Sequence, residues 1–533
     1  MNRKTLVLPA VVGLLAPVLA ACGGSGSGSG GGSEIVVGTT DAFTATKDAP
    51  APLDPAYAYD VGSWNILRQT VQTLMIQPKG EGDPVPEAAQ KCGFTDSGNE
   101  RYACTLRDGL KFSNGDKITA ADVKYSIDRA IAIDAEGGPV GLLSTIDTVE
   151  TQGDNQVIFH LKTADATFPY KLSTPVAGIV NPDDYEKNKL RDGFDVDGSG
   201  PYRMSAEVKD NSIVKATFTK NPHYKGTLTV KNSEIEMVSY KDAAAMGAAL
   251  DKGDIDVMTR TMSPEQIQKL SEGANTSEDL VEMSGLEIRY LAFNTDAASV
   301  KDKAVRQAIA QLINRAELVS KVYGTQAEPL YSLVPASITG HSNSFFNKYG
   351  DPSTAKAEAL LTNANITTPV KLTLHYTTDH YGSATEKEFK VLQTQLNNSG
   401  LFDVSIKGDP WSTFVPAERK GQYDVWGMGW FPDFPDADNY LAPFLDTDNF
   451  LKLPYKNTRI IKTLIPDSRR EADRLAASSS LTTIQDLVAD DVPILPLWQG
   501  KQYVAARDNV TGTAYVLNSS ATLQLWELGR GSS

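Results

Sequence analysis

The spacing of hydrophobic and polar positions switches repeatedly between a period of about 3.6 residues and a period of two, which predict helices and strands respectively. In the first half it predicts strands at 34–38, 157–161, 213–219 and 234–239, hairpin strands between 92 and 112, and helices at 63–75, 118–132 and 243–250. In the second half it predicts strands at 286–295, 371–376, 403–406 and 424–428, and helices at 302–322, 354–362, 384–398, 412–420 and 468–488. Such alternation is typical of an α/β domain with helices packed on a mixed sheet.

Two of these helices carry recognisable start signals. Ser63 is the predicted N-cap of the first. Thr119, followed by Asp122 three residues later, is close to a capping box.

The N-terminus is typical of an export signal. Arg3 and Lys4 precede an apolar run of about 16 residues, which is shorter than the ~20 needed to span a bilayer. The run ends in Leu19-Ala20-Ala21-Cys22, which resembles the bacterial lipobox. We therefore expect a lipoprotein signal peptide at 1–21 and lipidation of Cys22. An ordinary signal peptide with a chance cysteine is the alternative.

Residues 22–33 then form the lipidated cysteine and a Gly/Ser tether, which places the body outside the cytoplasmic membrane, anchored to it. In that oxidising compartment, Cys92 and Cys104 are an even pair and are expected to form a disulfide. Two buried free thiols are the alternative.

Composition narrows the class of protein. The chain has 533 residues, 41% of them hydrophobic, which is enough for about three domains with large cores. A net charge of −15 argues against nucleic-acid binding, which needs clustered Lys and Arg. Three Cys and five His, with no His near a Cys, leave little room for a zinc site.

No catalytic motif stands out: HExxH, GxSxG, SxxK with its partners, the P-loop and the Rossmann fingerprint are all missing. We predict no catalytic residue, no metal and no cofactor. Two calcium alternatives stay open. One is the loop from Asp195, although its twelfth position is Ala206, and the other is the run Asp433, Asp436 and Asp438.

Several blocks, in order, resemble the dipeptide/oligopeptide family of ABC-transporter extracytoplasmic solute-binding proteins, solute-binding protein family 5. These blocks are 106–130, 198–204, 221–226, 250–258, 305–319, 429–441 and 492–498. The similarity covers residues 34–533.

The resemblance implies a three-lobed, hinge-closing, periplasmic-binding-protein-like α/β fold of type II with an extra lobe. Domain I would consist of 34–71, 168–284 and 497–533. Domain II would be 72–167 and domain III 285–496. Chain crossings near 284 and 497 would form the hinge.

The resemblance also implies the ligand site. In peptide-binding members, Gly-Trp-x-x-Asp holds the ligand, and here it is Gly429 to Asp433. Asp433 would bind the α-ammonium, Gly429 and Phe431 would offer backbone bonds, and Trp430 would form a pocket wall. Trp411 and Trp498 are expected to form further walls, and Ala42 to pair with ligand backbone. The alternative is that Asp433 caps a helix or turn in a Pro/Asp-rich loop.

One departure concerns positions where some oligopeptide receptors carry basic side chains: this chain has Glu418 and Gly427 there, with Arg419 adjacent. Ligand length therefore stays open.

The expected function is capture of short peptides and delivery to an ABC permease by a monomer that is not an enzyme. The alternatives are a receptor for oligosaccharides, which would stack on Trp411, Trp430 and Trp498, and a receptor for nickel chelates, which would use His375 or His380. A peptide-pheromone receptor and an exported hydrolase are the remaining alternatives.

Overall fold

The computed structural model describes residues 34–47, 49–79, 82–273, 277–447 and 449–531. The predicted signal peptide (1–21), Cys22 and the tether (22–33) lie outside these residues. Within them, no helix combines the length and the apolar character that crossing a bilayer requires.

The described residues contain the following strands: β1 Ile35–Thr39, β2 Met75–Ile76, β3 Val85–Pro86, β4 Ala89–Phe94, β5 Arg101–Leu106, β6 Ile146–Gln152, β7 Gln156–Leu161, β8 Tyr202–Lys209, β9 Ser212–Lys220, β10 Glu234–Ser239, β11 Val257–Met258, β12 Glu278–Met283, β13 Ile288–Phe293, β14 Ala327–Pro329, β15 Val370–Thr377, β16 Phe402–Asp409, β17 Val425–Trp430, β18 Ile494–Gly500, β19 Gln502–Arg507, β20 Val510–Thr511 and β21 Gly529–Arg530.

Their α-helices are α1 Val61–Thr70, α2 Ala120–Ile133, α3 Phe168–Lys171, α4 Ala243–Lys252, α5 Pro264–Ser271, α6 Lys303–Leu312, α7 Arg315–Val322, α8 Ser344–Tyr349, α9 Thr354–Asn363, α10 Thr385–Asn398, α11 Trp411–Arg419, α12 Asp438–Leu445, α13 Ile465–Arg470 and α14 Ser478–Asp491.

Most of the strands belong to three sheets. A seven-stranded sheet has the order β12-β19-β11-β1-β10-β9-β8, with β1 parallel to both neighbours. A six-stranded sheet has the order β14-β18-β13-β17-β15-β16, with β15 parallel to both neighbours. A four-stranded sheet, β4-β5-β7-β6, is antiparallel throughout. The central strands β1 and β13 are nearly continuous apolar runs, as strands covered on both faces must be. The predicted α/β class with several lobes is confirmed.

Each sheet has its own hydrophobic core. The six-stranded sheet's core draws on residues between 286 and 498, and the four-stranded sheet's core on residues between 56 and 179 together with Phe434. The seven-stranded sheet collects strands from near both ends of the described chain and from its middle. The three domains and their boundaries stay a prediction.

Two predicted helices prove to be interrupted. The helix expected at 302–322 divides into α6 and α7, because Asn314 leaves the helical conformation and its side chain accepts the N–H of Glu317 as a new N-cap. The helix expected at 468–488 likewise divides into α13 and α14. Between them, Asp473 accepts the N–H of Leu475 in a local turn.

Of the two predicted helix N-caps, one is wrong and one is confirmed. The N-cap of α1 is Asp60, whose carboxylate accepts the N–H of Ser63, so the prediction of Ser63 as the cap is wrong by one turn. Thr119 does cap α2, and Asp122 accepts its N–H at 2.7 Å.

The predicted disulfide is confirmed: Cys92 and Cys104 are bonded and lie directly opposite each other on β4 and β5.

Candidate functional site

The chain passes between the seven- and six-stranded sheets at two adjacent places. Residues 284–287 connect β12 to β13, and Lys501 connects β18 to β19. A Cβ on Gly285 would lie 2.2 Å from the carbonyl oxygen of Gly500, so the crossings touch through backbone and admit no side chain there. Trp498 lies before the second crossing, in the six-stranded sheet.

Strand β17 leads to the predicted anchor. It ends at Trp430, and the following loop buries Asp433, which is 7% exposed. Oδ2 of Asp433 accepts hydrogen bonds from the hydroxyl of Tyr59, at 3.0 Å, and from Nδ2 of Asn439, at 2.8 Å. Among the described residues, Oδ1 accepts none. Since Tyr59 precedes α1, the carboxylate lies where two distant parts of the chain meet.

The predicted alternative, in which Asp433 caps a helix or turn, has no support in these contacts. Its carboxylate accepts no N–H from the backbone of the described residues. Instead, the amide oxygen of Asn439 accepts the N–H of Asp433 at 2.8 Å and that of the Trp430 indole at 3.3 Å. Asn439 therefore orients both the loop and the carboxylate.

Asp433 has a raised pKa and forms no ion pair with a described residue. Burial raises its pKa to about 6, against the opposing effects of the bonds from Asn439 and Tyr59 and of the charge on Arg68. Burial also lowers the pKa of Arg68 to about 10. The guanidinium lies over the Trp64 ring at 5.2 Å and forms no ion pair within 4 Å with a described residue. The carboxylate therefore lacks a direct cationic partner.

The remaining motif residues line the same region. Trp430 is 7% exposed and packs edge-on against Phe444 at 5.2 Å. Phe431 lies beneath Arg260, whose guanidinium is 4.6 Å from the ring centroid. Arg260 follows β11 of the seven-stranded sheet, so Phe431 reaches across from one sheet to the other. Gly429 lies opposite Arg289 in the ladder, and a side chain at Gly429 would overlap that guanidinium.

The other predicted walls differ in their surroundings. Trp411 begins α11 and stacks on His380 with ring centroids 3.7 Å apart. Trp498 is 5% exposed, and its indole N–H donates to Glu388 at 2.9 Å. Ala42 is exposed in the segment after β1. The structure brings Trp498 and Phe431 together around Arg289, whose guanidinium lies 5.2 Å and 5.9 Å from their ring centroids, and the bond to Glu388 fixes the Trp498 indole.

Sequence reasoning missed Tyr59, Arg68, Asn439 and Arg260. Asn439 lies six residues after Asp433, within the Asp/Pro-rich block, and that proximity was the only signal for it. Tyr59 is 374 residues away from Asp433 along the chain, a contact that only folding creates.

The side chains of the predicted calcium alternative at Asp433, Asp436 and Asp438 are already engaged in other contacts. Asp436 pairs with Arg474 at 2.7 Å, and Asp438 pairs with Arg469 at 2.8 Å. Their charges are therefore already compensated. Within the described part of the chain, no cluster of three or more His, Cys, Asp or Glu side chains is arranged to hold a metal ion.

Comparison with known proteins gives a consistent family. The sequence model described as "Bacterial extracellular solute-binding proteins, family 5 Middle" matches residues 83–452. The oligopeptide-binding protein OppA of Bacillus subtilis (strain 168) is 26% identical over 512 residues, covering 90% of this chain and 91% of that protein.

Two solved structures share the fold. The dipeptide-binding protein from Pseudoalteromonas sp. SM9913, in complex with Met-Leu, has a TM-score of 0.80 at 19% identity and covers 93% of this chain and 100% of that one. The binding protein AgaA of A. tumefaciens R10, in complex with agropinic acid, has a TM-score of 0.78 at 21% identity, with coverages of 94% and 99%.

Proposed function

The chain belongs to the bacterial extracellular solute-binding proteins of family 5, and from that premise we propose that it captures short peptides between its lobes and delivers them to an ABC permease. The protein would carry out no chemistry itself. The partners would be the peptide and the permease's membrane subunits. Among the relatives, OppA of B. subtilis is an oligopeptide-binding protein, and the Pseudoalteromonas protein binds a dipeptide.

The observation that carries the peptide assignment is the state of Asp433. It is buried, it lies at the meeting of two distant segments, and one carboxylate oxygen accepts no hydrogen bond from the described residues. The α-ammonium of a peptide would supply the missing partner. A charge-assisted bond of this kind contributes about 1.5–3 kcal/mol.

The peptide backbone is the constant part of ligands with different sequences. An extended ligand can satisfy its N–H and C=O groups on protein backbone, as an added strand does. Gly429 and Phe431 would offer such groups. Trp430, Trp411 and the exposed Ala42 would line the path, and water would fill the side-chain pockets.

The expected measurement is calorimetric titration of the wild type and of Asp433→Asn with short peptides. The substitution keeps shape and removes charge, so we expect affinity to fall at least about tenfold while the thermal midpoint stays within a few degrees. Asp403→Asn, on an exposed carboxylate of β16, is the matched control and should bind normally. N-acetylation of the peptide should weaken wild-type binding to a similar extent.

Unchanged affinity on both substitution and acetylation would remove Asp433 from the site. It would favour another solute, such as an oligosaccharide stacked on Trp411 and Trp430. AgaA, with its bound agropinic acid, shares this fold. Product formation from a model substrate would instead indicate a hydrolase.

The proposed location is supported by the family and by the N-terminal sequence. The family is extracellular, and a signal peptide at 1–21 with lipid on Cys22 would anchor the protein to the outer face of the cell membrane. The tether at 22–33 would let the lobes close freely beside the permease. Closure would be a hinge movement about the two chain crossings.

A further inference from the structure

Several buried polar atoms near β17 have no hydrogen-bond partner among the described residues. Three of them are Oε1 of Glu418, the hydroxyl of Tyr290 and the indole nitrogen of Trp426. Buried polar groups are almost always paired, so three in one neighbourhood indicate a site completed by something outside the chain. Glu418 is 5% exposed and is the only carboxyl group of the three.

The three side chains share one face of the six-stranded sheet. Tyr290 pairs with Met428 and Ala292 pairs with Trp426, so Tyr290 and Trp426 project to the same side and lie diagonally. On α11, Phe414 lies one turn before Glu418 on the same buried face. Phe414 packs against Tyr423, which stacks on His375. His375 is in register with Trp426, so Glu418 belongs to this face of the sheet. Burial, followed by the charges of Tyr381 and Glu418, raises the pKa of Tyr290. We call Glu418, Tyr290 and Trp426 the Glu418 cluster.

The cluster lies within reach of a ligand held at Asp433. Trp430 is four residues after Trp426 on β17 and faces the same side, about 13 Å along the strand, and Tyr290 lies opposite Met428, between the two. An extended peptide covers that distance in about four residues. If the ligand reaches the cluster with a long lysine side chain, fewer residues are needed.

Within the described part of the chain, Glu418 has no direct cationic partner. Arg419, the next residue, directs its guanidinium over the Phe450 ring at 5.8 Å. Glu418 forms no ion pair within 4 Å with any described Lys, Arg or His. Burial keeps a carboxyl group without a cationic partner in its neutral form, and a cation that reaches it stabilises the ionised form. The ring of Tyr290 offers a cation an additional attractive face.

We propose that the Glu418 cluster receives a positively charged side chain of the bound peptide, so that the protein selects peptides carrying Lys or Arg at one internal position. The inference rests on the proposed peptide-binding function and adds a substrate class to it. Glu418 and the Tyr290 oxygen accept hydrogen bonds from the cation. The Trp426 indole donates to the ligand backbone or to an accompanying water.

The protonation state of Glu418 supports this assignment and adds a second readout. Burial raises its pKa to about 8, which keeps the carboxyl mostly protonated at pH 7 before ligand binds. An arriving cation favours the ionised form, so binding releases a proton. Repeating the titration in buffers of different ionisation enthalpy measures that proton directly.

The experiment compares tetra-alanine peptides that carry a single Lys or a single norleucine at the second, third or fourth position. Norleucine keeps the aliphatic stem and lacks the charge. At one position we expect Lys to bind at least about tenfold more tightly than norleucine. Glu418→Gln should abolish that preference and leave norleucine peptides bound as before. Glu358→Gln, an exposed glutamate on α9, is the matched control and should retain the preference.

The possible failures are distinguishable. If all peptides bind but Lys and norleucine are equal at every position, the Glu418 assignment is overturned and peptide capture stands. A Lys preference that survives Glu418→Gln overturns the assignment as well. If no peptide binds at all, the proposed function fails and this inference fails with it.

Discussion

At the scale of single residues, burial decides the behaviour of the acidic groups around β17. Asp433, Glu418 and Glu388 are all buried, and burial raises the pKa of each above its ordinary value. Asp436 and Asp438, a few residues further on, each have an arginine partner. Among the described residues, the buried carboxyl groups that form no ion pair are thus separable from those that arginines hold in the loop.

The raised pKa values predict how stability depends on pH. The folded protein binds protons at Glu418 and Asp433 more tightly than the unfolded chain does. Their contribution to stability is therefore complete at low pH and is lost as pH rises, through about 6 for Asp433 and about 8 for Glu418.

We expect Glu418→Gln to flatten the decline in unfolding free energy between pH 6 and 8, by at most about 1.4 kcal/mol per pH unit. Urea unfolding of ligand-free protein at pH 5, 6, 7 and 8 measures this decline. If the unfolding free energies of wild type and variant changed in parallel with pH, Glu418 would have an ordinary pKa and this prediction would be wrong.

At the scale of elements, pairing between strands positions the disulfide, whereas local side-chain hydrogen bonds decide where two helices are interrupted. The hairpin β4–β5 places Cys92 opposite Cys104, so the disulfide closes a short loop within one sheet. The helices are interrupted after α6 and after α13 for a local reason. At each break, a single Asn or Asp side chain bonds to nearby backbone and interrupts an otherwise helical pattern.

The disulfide should stabilise the four-stranded sheet. The two cysteines are 12 residues apart, and a loop of that size predicts a loss of about 2–3 kcal/mol in the double variant Cys92→Ala/Cys104→Ala. Denaturant unfolding measures the loss, and wild type treated with reductant should match the variant. A stability equal to that of the oxidised wild type would mean that the bond contributes nothing.

At the scale of the whole molecule, the two chain crossings and the region around Asp433 connect the sheets. The crossings touch through the backbone at Gly285 and Gly500. Phe434, from the loop after β17, packs into the core of the four-stranded sheet and stacks on Tyr170 at 5.6 Å. The proposed hinge movement would therefore separate the surroundings of Asp433 while preserving the crossings.

Gly285→Ala should disturb this arrangement, because its Cβ would lie 2.2 Å from the Gly500 carbonyl oxygen and would push the crossings apart. We expect a loss of about 1–3 kcal/mol in stability and weaker peptide binding. Gly141→Ala is the control, since a Cβ there meets nothing within 4 Å. Thermal unfolding and calorimetry together measure both effects, and equal behaviour of the two variants would contradict this account.

The sequence by itself determined the elements and the class of protein. Periodicity predicted β1, β13, α4 and α10, because these segments follow their own hydrophobic pattern. The ordered blocks indicated the family, and cysteine pairing indicated the disulfide. Interruptions such as Asn314 were missed, because competition between a side chain and the helical backbone depends on one local hydrogen bond.

Only the tertiary structure decided which groups surround Asp433 and which surround Glu418. Tyr59 and Asp433 are far apart in the chain, as are Tyr290 and Glu418, and no local pattern encodes such meetings. Burial and missing partners are properties of the folded interior, where a carboxylate's energy depends on neighbours that the sheets bring together. The type of protein is therefore readable from the chain, whereas the chemistry that selects its ligand depends on the fold.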